Sequence, residues 1–148
     1  MHGYTLEYPE RWYAELDNEV WKCAIFDPKP FSVSPDTEVA PLAVMIYDEP
    51  TVAFDMAMTS LTDTSIYRVI AAVDTTVDGK PAVVLETEAT VDEVLAAGTY
   101  SYQYVVDRGS STLVIVTSQQ PGLAYERARA VIDEMAASMR FSRFGPGR

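Results

Sequence analysis

The groups in this chain that could do chemistry are 22 carboxylates, nine tyrosines, one cysteine and one histidine. The histidine is His2, in the terminal stretch where chains are ordinarily least ordered. A lone imidazole leaves a serine or cysteine nucleophile without its usual base, and leaves a zinc site that needs two imidazoles one ligand short. Cys23 lies in an apolar run beside Ala24 and Ile25, the setting of a small buried core residue rather than a reactive thiol. Being single, it forms no intrachain disulfide. The seven glycines build no glycine-rich phosphate loop. The residue types therefore predict no catalytic group, no cofactor and no metal.

The carboxylates gather in two places. Asp48, Glu49 and Asp55 straddle the start of a predicted helix, and Glu86, Glu88, Asp92 and Glu93 surround the end of a predicted strand. Neither group has the spacing of a twelve-residue calcium loop. Asp55 has a simpler role in the first turn of its helix, facing the positive end of the dipole. Glu86 and Glu88 share one strand face and are expected to meet water. The tyrosines are more ordered: Tyr100, Tyr102 and Tyr104, two residues apart, point to one face of a strand. Two readings stand. The rings pack beneath a helix with their hydroxyls at its rim, or they form an exposed aromatic platform for a partner or an apolar ligand. Trp12, Tyr13 and Trp21 are the other candidates for such a surface. For Trp12 the alternatives are a plug over one end of the core and an exposed anchor, and the general burial of large aromatics favours the plug.

Elements to position these groups can be read along the chain. Tyr4, Leu6 and Tyr8 alternate with Thr5 and Glu7, which predicts a half-buried first strand. Residues 21–26 are a short apolar run, and residues 29–41, with three prolines, are a loop. Residues 42–47 form a continuous apolar run that suits a strand buried on both faces. Thr51 is the expected cap of a helix whose Phe54, Ala57, Met58 and Leu61 share a face. Residues 66–76 and 80–90 are strands joined at Asp78-Gly79, a pair that favours a tight hairpin. Residues 91–98 read as a loop with one helical turn. Residues 100–107 and 112–118 form a second hairpin. The last element is a helix over 123–139, with Tyr125, Ala128, Ile132, Met135 and Met139 as its apolar stripe and Glu126, Arg127, Arg129, Asp133 and Glu134 facing water.

Hairpins imply antiparallel pairing, so the order excludes a doubly wound nucleotide fold. A chain of 148 residues without linker or repeat is one domain, 1–148, burying roughly two thirds of its unfolded surface. Charge is uneven: residues 1–74 hold 13 acids and 4 bases, residues 75–148 hold 9 acids and 7 bases. The net charge of −11 repels phosphate backbones, so no nucleic-acid partner is expected. No apolar run is long enough to span a membrane. The start lacks the features of a signal peptide, which predicts a cytoplasmic protein if the chain is complete and an extracytoplasmic lipoprotein if a leader was removed.

Three short patterns, taken in order, resemble the PsbP-like family. They are Pro9-Glu10-Arg11-Trp12 after the first strand, Asp78-Gly79-Lys80-Pro81-Ala82 in the middle hairpin, and Ser138-Met139-Arg140-Phe141 after the last helix. The resemblance covers about residues 3–144. It implies an α+β fold, a central antiparallel sheet of six to seven strands with helices packed on both faces, an α/β/α sandwich. The family's fold serves photosystem II extrinsic proteins, bacterial lipoproteins, Ran-binding nuclear-import factors and some secretion chaperones, so fold alone is a poor guide to role. With the missing catalytic groups, it implies a non-catalytic bacterial binding or accessory domain acting through protein or small-ligand contacts. The alternatives are a secretion chaperone or assembly factor that binds an apolar helix, and a small enzyme using carboxylates and tyrosines.

Overall fold

The computed structural model describes residues 3–18, 23–31, 43–49 and 52–142. The strands are β1 (Tyr4–Thr5), β2 (Tyr13–Asn18), β3 (Cys23–Asp27), β4 (Val44–Glu49), β5 (Tyr67–Val77), β6 (Lys80–Ala89), β7 (Tyr100–Asp107), β8 (Thr112–Ser118) and β9 (Arg140–Phe141). The helices are α1 (Phe54–Leu61), between β4 and β5, and α2 (Tyr125–Ser138), before β9. Seven strands make one sheet in the order β2-β3-β4-β8-β7-β6-β5, and every pairing is antiparallel. The chain is thus α+β, as the resemblance implies, with the antiparallel pairing that the hairpin signals predict.

The middle turn works through backbone conformation. Asp78 (φ 48°) and Gly79 (φ 79°) both take the left-handed region that a two-residue hairpin requires. The second hairpin, β7 to β8, has the boundaries read from sequence. α2 lies within the predicted span and buries Ala128, Val131, Ile132, Met135 and Ala136. Of these, Val131, Ile132, Met135 and Ala136 meet Phe26, Val44, Ile46, Val106, Leu113 and Ile115 of the sheet in the main core.

Several expectations are corrected. The first strand is two residues long, and Leu6 to Pro9 continue without strand pairing. β1 leaves the main sheet and pairs with β9, Tyr4 opposite Phe141, so the first and last described strands are stitched together. β2 has no counterpart in the sequence reading, because Glu15, Asp17 and Asn18 are poor strand formers and only an edge position accommodates them. β4 is not buried on both faces: Val44 and Ile46 are buried, Met45 and Tyr47 half-buried, and Asp48 and Glu49 exposed. Residues 91–98 contain no helical turn, and the loop is held instead by Asp92, whose Oδ1 accepts the Ala97 N–H at 2.7 Å. The Thr51 cap, Trp21 and most of the 29–41 loop lie outside the described residues. Ala53 is the N-cap of α1 and makes no side-chain cap bond, and no residue of α1 is buried.

Candidate functional site

The tyrosine row lies on the sheet face that receives α2, because Tyr102 and Tyr104 alternate along β7 with Gln103 and Val105. Tyr102 is 8% exposed and Tyr104 half-buried. Both hydroxyls donate to the same oxygen, Asp133 Oδ1, at 2.6 and 2.8 Å. Their rings meet edge to face with centroids 6.2 Å apart. One turn earlier on α2, the Arg129 guanidinium stacks 4.6 Å above the Tyr102 ring and comes within 3.5 Å of Glu86 Oε2. A further turn back, the Tyr125 hydroxyl donates to the same Glu86 oxygen at 2.8 Å. Tyr125, Arg129 and Asp133, four residues apart, therefore clamp the helix to β6 and β7 through one polar and aromatic seam.

Two expectations fail here. Glu86 does not simply meet water; it faces α2 and is taken by Tyr125 and Arg129. Arg129 and Asp133 face solvent only in part, since long polar side chains at the margin of an apolar stripe reach back to the sheet. The signal for this seam was in the sequence: the i, i+4, i+8 spacing of Tyr125, Arg129 and Asp133 matches the two-residue spacing of tyrosines on a facing strand. Tyr100 is set apart from the seam, half-buried at the start of β7, and lies near Arg68, which bonds Glu88 across the β5–β6 ladder at 2.9 Å.

Burial and the Asp133 carboxylate push the Tyr102 phenol up to about 12. The same two causes raise Tyr104, and burial with the Glu86 bond raises Tyr125. Tyr47, beside Cys23 in a small cluster with Ile25, Phe31 and Met45, is also pushed up to about 12 by burial and then by that thiol. Burial likewise raises the Cys23 thiol, which suits an inert core residue. Following tyrosinate absorbance through an alkaline titration should therefore show part of the nine-tyrosine signal delayed until the protein unfolds. These phenols hold their protons more tightly folded than unfolded. Their contribution to stability is complete below about pH 10 and is lost as the pH rises through about 12. Thermal melts should fall across that window, and less steeply in Tyr102→Phe.

The other candidates are spread out. Trp12 is half-buried against the main core. Its N–H donates to the Pro9 carbonyl at 2.9 Å, so the Pro-x-x-Trp pattern is a β-turn closed by its last residue. Tyr13 is 49% exposed on β2, and Tyr8 stacks on Phe26 with centroids 5.1 Å apart. The remaining two patterns meet at one end of the sheet. Asp78 Oδ2 accepts the Phe141 N–H at 2.8 Å, and Ser138 Oγ accepts the Glu7 N–H at 2.8 Å. The Arg108 guanidinium covers the Phe141 ring at 4.7 Å and bonds Asp48 at 2.9 Å. These patterns close the domain.

Two open hollows are lined by described residues. One of about 480 Å³ is bordered by Glu7, Tyr8, Glu134 and Arg140. Another of about 770 Å³ lies along α1, with Asp55, Thr59 and Asp63. No cluster of three metal-ligating side chains occurs among the described residues. No helix there is long and apolar enough to cross a membrane.

Among the described residues, no strand pairs with the outer edge of β5. It ends the sheet, runs eleven residues, and exposes Arg68 to Asp74 and Thr76. Val69 and Ile70 are 38% exposed and Val73 58%, with Ala71 and Ala72 also exposed. Sequence reading gave this strand correctly and missed its edge position, which depends on pairing order.

No family model matches the chain, and no curated protein does. Solved structures do. The cyanobacterial PsbP of a Synechocystis species aligns over 95% of this chain and 87% of its own, with a TM-score of 0.52 and 16% identity. A Bacteroides thetaiotaomicron protein aligns over 99% of this chain with a TM-score of 0.52 and 15% identity. This chain spans about half of that protein's length, 47%. The fold is therefore PsbP-like. At such identities the likeness is one of fold.

Proposed function

We propose that this is a non-catalytic accessory domain that works by holding another protein, with the free edge of β5 as its binding surface. The exposed edge carries the reading. A sheet edge offers a row of unpaired backbone donors and acceptors, and an extended partner segment can join it as an additional strand. Natural edges are usually short, charged or covered, and this one presents five consecutive apolar residues, 69–73. The PsbP-like fold agrees with an accessory role without specifying one.

The absence of catalysis belongs to the same proposal. The carboxylates with defined partners at the seam, Glu86 and Asp133, are occupied by tyrosines and an arginine. The tyrosine row serves as scaffold in this reading, because α2 sits on it. A groove for an apolar helix has less support, since the same helix covers the apolar face of β7 and β8. We also propose the full α/β/α layering, with α1 over the opposite face. Thr112 Oγ1, on the side of β8 that carries Val114, donates to the Val52 carbonyl at 2.8 Å. Beyond the other end of α1 the Thr90 N–H donates to the Ile66 carbonyl at 2.9 Å. The first of these bonds supports placing the start of the α1 segment on that face.

A library of random extended peptides displayed on phage tests the reading. Selected binders should slow hydrogen exchange of backbone amides in β5. Binders that protect other elements, or a selection that yields none, would overturn it.

A further inference from the structure

We infer that the segment received by β5 carries basic residues on either side of an apolar centre. This rests on the strand-addition reading above and adds the chemistry of the partner. The apolar run 69–73 spans about 13 Å of extended chain. Carboxylates lie at both ends of it. Asp63 and Glu93 both act on Tyr67, at the start of the strand, and Asp74 follows Val73 directly. None of these three has an ion pair among the described residues. Arg68, the strand's own cation, is taken by Glu88. A strand laid along this edge puts its side chains within about 5 Å of those opposite, so lysine or arginine at its ends would meet unpaired carboxylates.

A second copy of the chain fits poorly. The ladder to β6 pairs Val69 with Thr87 and Ala71 with Glu86, which leaves Ile70 as a bulge. Through that bulge Arg68 shares a face with Ala71 and Val73, whereas Asp74 shares the other face with Val69 and Ala72. Two-fold pairing brings like faces together, so Arg68 of one copy cannot meet Asp74 of the other. Each copy also brings a net charge of −11. The bulge and Asp74 guard the edge against its own kind and leave it open to a basic strand.

The test uses three synthetic nonapeptides: Lys-Lys-Val-Thr-Val-Thr-Val-Lys-Lys, and its analogues with glutamine or glutamate in place of the lysines. Each is titrated into the isotope-labelled protein and followed by amide shifts. The lysine peptide should shift β5 amides and bind roughly tenfold more tightly than the glutamine peptide, the combined effect of a few exposed ion pairs. That advantage should shrink at high salt and in Asp74→Asn, and the glutamate peptide should not bind. As a control beside the three, the lysine peptide with proline at its centre should fail, and equal binding by it would mean adsorption and overturn the inference. Equal binding of the lysine and glutamine peptides would overturn the charge preference and leave strand addition standing. Binding by none of the three would overturn both. Self-association through β5 without peptide would assign the edge to a second copy and overturn the inference.

Discussion

Replacing Ile132 by alanine should destabilise the protein by about 2–5 kcal/mol, read as a shift of the denaturant midpoint at unchanged slope. Ile132 is fully buried in the middle of α2, within the cluster that holds Phe26, Val44, Ile46 and Met135. Truncation removes three carbon atoms from a site where helix and sheet are both fixed at their ends, so the neighbours cannot collapse into the space. α2 enters between the β8 strand and the β9 stitch, and β9 is tied to Asp78 through the Phe141 N–H. Helix propensity changes in the opposite direction, since alanine is the better helix former, by well under 1 kcal/mol. Packing wins. A loss below about 1 kcal/mol would mean that α2 is seated more loosely than its burial indicates.

Asp27→Ala should cost about 1.5–3 kcal/mol, the second large effect. Asp27 ends β3 and is 8% exposed, unusual for a carboxylate. Its two oxygens are spent on backbone: Oδ1 accepts the Lys29 N–H at 2.9 Å and Oδ2 the Ala43 N–H at 2.8 Å. The second bond joins the end of β3 to the start of β4, closing the 28–42 connection. Alanine leaves the buried Ala43 N–H without a partner, which is the costly half of a lost hydrogen bond. Asn restores one acceptor and presents a donor to the other N–H, so Asp27→Asn should fall between wild type and alanine. An alanine variant as stable as the wild type would show that water replaces the carboxylate.

Much of the fold was legible because its signals are local. Asp78-Gly79 adopts the turn that its backbone freedom allows, and the alternation in residues 100–107 and 112–118 gives a hairpin with the predicted ends. The stripe of α2 was legible because a 3.6-residue period and burial carry the same information. β2 was missed for the complementary reason: its residues Glu15, Asp17 and Asn18 have little strand preference, and pairing with β3 imposes the conformation.

The site divides along the same line. Sequence placed Tyr100, Tyr102 and Tyr104 on one face, and left open whether that face was surface or scaffold. Only packing answered it, by setting Asp133, Arg129 and Tyr125 of α2 over Tyr102 and Tyr104. The three patterns of the PsbP-like resemblance were visible as residues, but that the second and third meet at one end of the sheet required Phe141 to reach Tyr4 and Asp78 across the fold. The free edge follows the same rule. The local pattern predicted a strand over residues 66–76, within one residue of β5 at each end, and composition determined that the chain is acidic. Tertiary structure alone decided that this strand stands last in the sheet, because strand order is set by long-range pairing that no local preference encodes.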